Sequence, residues 1–339
     1  MKKSFRSSLL PVFCAALLAG SCKGPDNKND DQSAAVLRRP PFVQLTDSIR
    51  QAGSAGAAGL YFRRGELLSR NNLHELAAED YKKSWELQPE ETTGIRYAST
   101  LSILGQTDDA IRLLKDCMQK YPANTNFPGL LGDCYVQSGR MNQALALYDT
   151  MLIKDSLDFE AWYERGLLLE QAKDTAGAIA SLKKAYALQP VNTYALELAH
   201  IYAEQGNDKA LQLCDEVMSK DTRNELVDPI FIKGIFYSNT ARYKKAIIQF
   251  DSCIGRDWKF TDAYLEKGIA LFQQKNYEEA LKTFLMTIKV SNTYPDGYYW
   301  VGRCYEATGS KDDAVLYYQR AFALDKDFTE AAAAIKRLK

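Results

Sequence analysis

Alanine returns at a nearly fixed stride along this chain, at Ala77, Ala110, Ala144, Ala178, Ala210, Ala246, Ala280 and Ala314. The intervals are 33, 34, 34, 32, 36, 34 and 34 residues. A stride this steady, held over more than 230 residues, fixes how the chain can bury its apolar surface. Short repeated units do not gather around one centre; each packs its apolar face on the next and touches only its neighbours. The full length of 339 residues, which alone suggests two or three ordinary domains, is therefore a poor guide.

Other residues keep register with the alanines. Twelve places before the anchor stands a small residue in seven of the eight repeats: Gly65, Ala98, Gly132, Gly166, Gly234, Gly268 and Gly302. Nine before it stands a large one, such as Leu68, Leu101, Tyr135, Leu169, Tyr237, Leu271 or Tyr305. Four after it come Tyr81, Leu114, Tyr148, Leu182, Cys214, Phe250, Phe284 and Tyr318. Glycine inside a helix costs up to about 1 kcal/mol against alanine, so its recurrence predicts two helices in close approach, with the large residues filling the space between them. Pro89, Pro122 and Pro190 stop the second helix, because proline has no N–H to give and restricts the residue before it. Gly105, Gly139, Gly206 and Gly309 mark the turn within each pair.

On these residues the chain resembles the tetratricopeptide repeat family. The resemblance implies an all-α fold, a right-handed superhelix (solenoid) of about eight helix–turn–helix repeats over residues 58–326. The fifth repeat is one residue short in its turn, and the segment Ser219–Pro229 after it is about two residues longer than in the other repeats, which predicts a local change in superhelix curvature. An end repeat exposes a face that a neighbour would cover. Residues 327–339 supply a C-terminal capping helix, with Phe328, Ala331, Ala334, Ile335 and Leu338 at helical spacing. At the other end, residues 40–57 form an N-terminal cap segment with Phe42, Leu45 and Ile49 on one short helix, which the glycines of Gly53–Gly59 are expected to break.

Before the repeats comes an address. Three positive charges in Met1–Ser8 precede an apolar run, Leu9–Gly20, that is too short to span a bilayer. It ends in Leu18-Ala19-Gly20-Ser21-Cys22, which resembles the cleavage site of a bacterial lipoprotein. The resemblance makes residues 1–21 a signal peptide and Cys22 the lipidated first residue of the mature chain, a membrane anchor. A plain secretory signal is the alternative. Residues 22–39 are polar, too poor in large apolar groups to fold, and read as a flexible tether. Lys23 stands where lipoproteins kept in the inner membrane often carry Asp, so the resemblance favours the outer membrane of a bacterial cell envelope.

Charge argues against nucleic acid. Lys+Arg and Asp+Glu balance at 43 each, and loss of Lys2, Lys3 and Arg6 with the leader leaves 40 against 43, whereas phosphate binding needs a basic excess. No catalytic constellation, phosphate loop or metal-ligand spacing is present, and no cofactor or small-molecule substrate is expected. Paired carboxylates at Asp108-Asp109, Glu278-Glu279 and Asp312-Asp313 all open a second helix, where the helix dipole favours them. Cys117, Cys134, Cys214, Cys253 and Cys304 are dispersed along the repeats, too far apart for disulfides, and are expected to be free and buried. His74 is expected in an exposed turn, and His200 beside Glu197 and Glu204 lacks the further ligands a metal would want.

Function is left to the first helices, which line the inner groove in this family. Residues fifteen, eleven and eight before the anchor share one side of that helix. They are small and polar near the third repeat (Gly129, Asp133), then apolar and aromatic from the fourth onward. The candidate partner-binding groove is Tyr163, Leu167 and Glu170 in the fourth repeat, Phe231 and Ile235 in the sixth, Leu265, Ile269 and Phe272 in the seventh, and Tyr299 and Glu306 in the eighth. About half of such positions are expected to touch the next repeat instead. The basic clamp by which some relatives hold a chaperone's C-terminal carboxylate is missing, since Phe62 and Glu66 stand in its place. The chain therefore reads as a membrane-anchored scaffold for a protein partner, not an enzyme. A self-associating envelope protein and an enzyme with an unrecognised site are the alternatives.

Overall fold

A computed structural model describes residues 34–223 and 225–338, so the leader, Cys22 and the start of the expected tether lie outside the described residues. Every regular element among the described residues is helical, and none of these helices is long and apolar enough to cross a membrane. The chain divides into two compact units, Met1–Cys134 and Tyr135–Lys339.

The first unit holds α1 (Val43–Gln51), α2 (Ser54–Arg70), α3 (His74–Leu87), α4 (Glu91–Ile103), α5 (Thr107–Lys120) and the start of α6 (Asn126–Gln137). Helices α2 and α3 form the first repeat, α4 and α5 the second. The small-to-large register has the packing cause expected of it: a methyl group on Gly65 would stand 2.8 Å from the Tyr81 ring. The expected break after the short helix is present at Ala52 and Gly53, both extended, but Gly56 and Gly59 take no part in it. Helix α2 runs through both without interruption. Burial of Ala57, Ala58 and Leu68 in the first repeat outweighs the modest intrinsic cost of two helical glycines.

Helix α1 is fastened by polar groups as well as by Phe42, which packs near Leu68 and Tyr81. The Arg64 guanidinium donates to both carboxylate oxygens of Asp80 at 2.7 Å and to the Thr46 hydroxyl of α1 at 3.0 Å. Thr46 in turn donates to the Leu37 carbonyl at 2.9 Å. Arg64 and Asp80 are both buried, so this fork replaces the water each charge has lost.

The second unit holds the end of α6, then α7 (Met141–Lys154), α8 (Phe159–Gln171), α9 (Thr175–Leu188), α10 (Asn192–Glu204), α11 (Lys209–Lys220), α12 (Asp228–Asn239), α13 (Tyr243–Arg256), α14 (Thr261–Gln273), α15 (Tyr277–Val290), α16 (Pro295–Ala307), α17 (Lys311–Leu324) and α18 (Thr329–Leu338). Successive pairs α8/α9, α10/α11, α12/α13, α14/α15 and α16/α17 are the fourth to eighth repeats. At Gly234 and Gly268 the Phe250 and Phe284 rings occupy the space a side chain would need. Phe328, Ala331 and Ala334 of the C-terminal segment are buried, packed with Tyr298, Tyr299 and Tyr318.

A ladder of ion pairs, absent from the sequence reading, links consecutive repeats here. A cation thirteen places before the anchor meets an aspartate five places after the preceding anchor. Arg165 reaches Asp149 at 2.7 Å, Lys267 reaches Asp251 at 2.6 Å, and Lys233 pairs with Asp215.

The turns within the pairs carry a second regularity. Gly105, Gly139, Gly206 and Gly309 have left-handed backbones, but so do Asn72, Lys173, Ala241 and Lys275, with φ of 59°, 64°, 58° and 62°. The register imposes the left-handed residue whether or not glycine supplies it. A residue with a Cβ there costs about 1–2 kcal/mol, against a smaller unfolded-state cost for glycine. Ala241→Gly should therefore stabilise the protein by about 1 kcal/mol, seen as a higher urea midpoint at unchanged slope. An unchanged or lower midpoint would show that this turn stores no strain.

Candidate functional site

The first helices of neighbouring repeats stand side by side, and the size of the next repeat's residues decides which positions stay open. In the sixth and seventh repeats three of the expected groove residues close. Phe231 is 2% exposed, its ring 5.7 Å from Phe250 and 4.9 Å from Phe260 of the following repeat's approach. Ile235 and Leu265 are buried too, and Ile269 and Phe272 pack on the Leu265–Phe284 cluster. Phe272 also meets Tyr277 and Trp300 edge-on. In the eighth repeat, α18 takes up the face: Tyr299 lies 5.1 Å from Phe328, and Glu306 pairs with Arg337 at 2.8 Å while accepting from the Tyr318 hydroxyl at 2.6 Å. Phe231, Ile235 and Leu265 are packing residues, because bulky neighbours arrive from the same and the next repeat, whereas Ile269, Phe272, Tyr299 and Glu306 make their contacts while staying partly exposed.

The fourth repeat differs. Tyr163, Leu167 and Glu170 of α8 are half-buried, and the Tyr163 ring stacks on Tyr194 of α10 at 4.5 Å. The Glu170 carboxylate lies 3.9 Å from His200 Nδ1. Counted from Ala199 rather than from the anchor, His200 occupies the same place as Asp133, Leu167 and Ile235. The one-residue slip in the fifth repeat hid this from the sequence reading. Glu197, named beside His200 from the sequence, proves to be buried on the same face, 6% exposed, three places before His200 on α10. Asp228, in the first turn of α12, completes a face of four carboxylates (Glu170, Glu197, Glu204 and Asp228), one imidazole and two stacked phenols.

The charges of this face are felt throughout it. Burial lifts the Glu197 carboxyl to about 7, and repulsion from Glu170 adds to the lift. Burial opposes charge on His200, but Glu170, Glu204 and Glu197 outweigh it and hold the imidazole above its ordinary value. Burial, then Glu197 and Glu164, raise the Tyr163 hydroxyl, and burial alone raises Asp228.

Both central shifts favour the protonated form in the folded state. An unfolded glutamate would titrate near 4.5 and histidine near 6.5, so folding takes up protons. The resulting stability is whole below those unfolded values and is lost as pH rises through about 7 and beyond. Stability should therefore be greater at pH 5.5 than at pH 8 by about 2–3 kcal/mol, and Glu197→Gln should flatten most of that slope in urea titrations. An equally steep slope in the variant would remove Glu197 as its source.

Elsewhere the surface offers less. A cleft of about 170 Å³ in the first unit is lined by Ser99, Ser102, Ile103, Leu114 and Asp133. A larger one, about 330 Å³, lies at the turn of the sixth repeat among Arg242, Lys244 and Lys245, at the opposite end of α12 from Asp228. Among the described residues no group of three or more His, Cys, Asp or Glu could hold a metal ion. The five cysteines of the repeats are buried thiols outside any disulfide, and burial pushes the thiols of Cys117, Cys214, Cys253 and Cys304 up to about 12. His74, expected to be exposed, is half-buried at the start of α3. The carboxylate pairs Asp108-Asp109, Glu278-Glu279 and Asp312-Asp313 all sit in the first turn of their helices.

Models of the tetratricopeptide repeat match residues 103–164, 265–327, and 58–91 and 159–192. A Treponema pallidum protein named as TPR repeat-containing is 27% identical over 132 residues, which is 33% of this chain and 16% of that protein. The chain thus spans well under two thirds of that relative's length. Among solved structures, a tetratricopeptide repeat protein from Parabacteroides merdae has a TM-score of 0.64 at 18% identity, covering 72% of this chain and 97% of that one. PilW, a type IV pilus biogenesis factor, has a TM-score of 0.54 at 17% identity, covering 63% and 99%. Likeness at these identities speaks to fold.

Proposed function

From the premise that this chain carries tetratricopeptide repeats, we propose that it is a protein-interaction scaffold, anchored in a bacterial envelope through Cys22, that holds a segment of a partner protein against the first helices of its middle repeats. One observation carries the choice of face. Tyr163, Leu167 and Glu170 remain half-accessible, whereas Phe231, Ile235 and Leu265 are sealed by neighbouring repeats. Half-buried aromatic and aliphatic groups beside fixed charges are the materials of an interaction surface, where aromatic anchors contribute disproportionately to affinity. The leader and polar tether supply the reason for an envelope location, and Lys23 the reason for favouring the outer membrane.

A photo-crosslinking residue at Leu167 should capture a defined partner in intact cells, while the same residue at Lys184 on α9 should not. Identical capture from both sites would move the interface off this face, and capture of a second copy of the chain would favour self-association. Cys22→Ala should release the protein from membranes. Retention of that variant after a carbonate wash would end the lipid-anchor part of the reading.

A further inference from the structure

We propose that the polar face shared by α8, α10 and α12 is a receptor for one cationic side chain, a lysine or arginine of the partner segment. This rests on the scaffold reading and narrows it. The leading observation is Glu197: its side chain is more than nine-tenths buried, yet it makes no hydrogen bond and no ion pair. Buried charges in folded proteins are matched by partners, because the water they lose must be replaced. Among the neighbours a charged His200 offsets the mismatch in part, and the carboxylates aggravate it. Glu170 and Asp228 both act on Glu197 repulsively, and neither is paired with a lysine or arginine.

The rest of the unit shows that this chain does match its acids where it needs only stability. Asp149, Asp215 and Asp251 each meet a cation from the next repeat. The carboxylates of this face do not, and they converge from three consecutive repeats. Beside them the partly exposed Tyr163 ring, backed by the buried Tyr194 on which it stacks, offers a π face, which attracts ammonium and guanidinium groups, and Leu167 offers cover for an aliphatic stem. A metal ion is a poorer occupant, since no group on the face is placed to coordinate one.

His200 tunes the site. Facing Glu170 from α10 with Glu204 and Glu197 on its own helix, it becomes an internal cation when protonated and competes with the ligand. Binding should therefore weaken as pH falls, and a ligand arriving near neutral pH should displace a proton from the Glu197–Glu170 pair.

The sequence contains two histidines, His74 and His200, so histidine-labelled protein gives one NMR reporter in the face and one remote from it. The probes are acetylated, amidated Ala-Lys-Ala and its Arg, norleucine and Glu counterparts. The Lys and Arg peptides should shift the His200 signals saturably in the millimolar range, with His74 unmoved and a weakly buffered sample acidified. Norleucine and Glu peptides should leave His200 alone. Glu197→Gln and, separately, Asp228→Asn should weaken Lys binding at least about tenfold with the helical CD spectrum retained. Equal response to norleucine, no His200 shift at about 20 mM Lys peptide, or undiminished binding by both folded variants would overturn the assignment. If the Lys probe fails while a crosslinker at Leu167 still captures a partner, the cation receptor is wrong and the scaffold reading stands.

Discussion

Arg64→Met is expected to destabilise the first unit by about 3–5 kcal/mol, the usual consequence of stranding one member of a buried ion pair. The partner left behind is Asp80, whose carboxyl burial already pushes upward and which Arg64 alone opposes. The substitution also removes the bond to Thr46, so α1 should loosen from the first repeat. Hydrogen exchange should rise first in peptides spanning α1 and α2, and the urea midpoint should fall. The double variant Arg64→Met with Asp80→Leu should regain much of the loss, because two apolar groups of similar size need no solvation. A single variant within about 1 kcal/mol of the parent would mean that water already reaches this pair, contrary to its burial.

Phe231→Ala comes next in size and should cost about 3–5 kcal/mol, as for other large-to-small changes in a core. The ring fills space between Phe250 and Phe260, and its removal leaves a cavity that the rigid helix pair cannot collapse into. The comparison is Leu167→Ala on the open face, where the loss should stay near 1 kcal/mol or below. Urea unfolding of the two variants separates the cases. Equal, small effects would mean that Phe231 is as accessible as Leu167 and belongs to the groove after all.

That contrast marks what the sequence could and could not yield. The anchor alanines, the small residues twelve places before them and the large ones four places after were legible because each reports a contact within one repeat. Which first-helix residues remain open was not, because it depends on partners outside the repeat. Phe231 is closed by Phe260, and Tyr299 is partly covered by Phe328. Glu197 and His200 were visible in the sequence, but the one-residue slip of the fifth repeat obscured their place on the inner face, and a count from Ala199 would have aligned them. Lys173 and Ala241 gave no warning of a left-handed turn, since only the pattern of the other repeats demands one there. The continuity of α2 through Gly56 and Gly59 follows from the apolar residues around them, which intrinsic preference ignores.

The ion-pair ladder has a consequence for how such a gene can change. Asp149, Asp215 and Asp251 end the third, fifth and sixth repeats, and the repeats that follow each bring a cation to meet them. The fourth repeat carries Lys183 at the corresponding place. Unequal recombination that excised the fifth repeat would bring Lys183 against Lys233, two like charges at a new junction. Excision at other places joins different ends, so loss or duplication of a unit is not equally tolerated along the chain. Beneath the hydrophobic stride that makes the repeats look interchangeable, the charges prescribe which neighbour each may have.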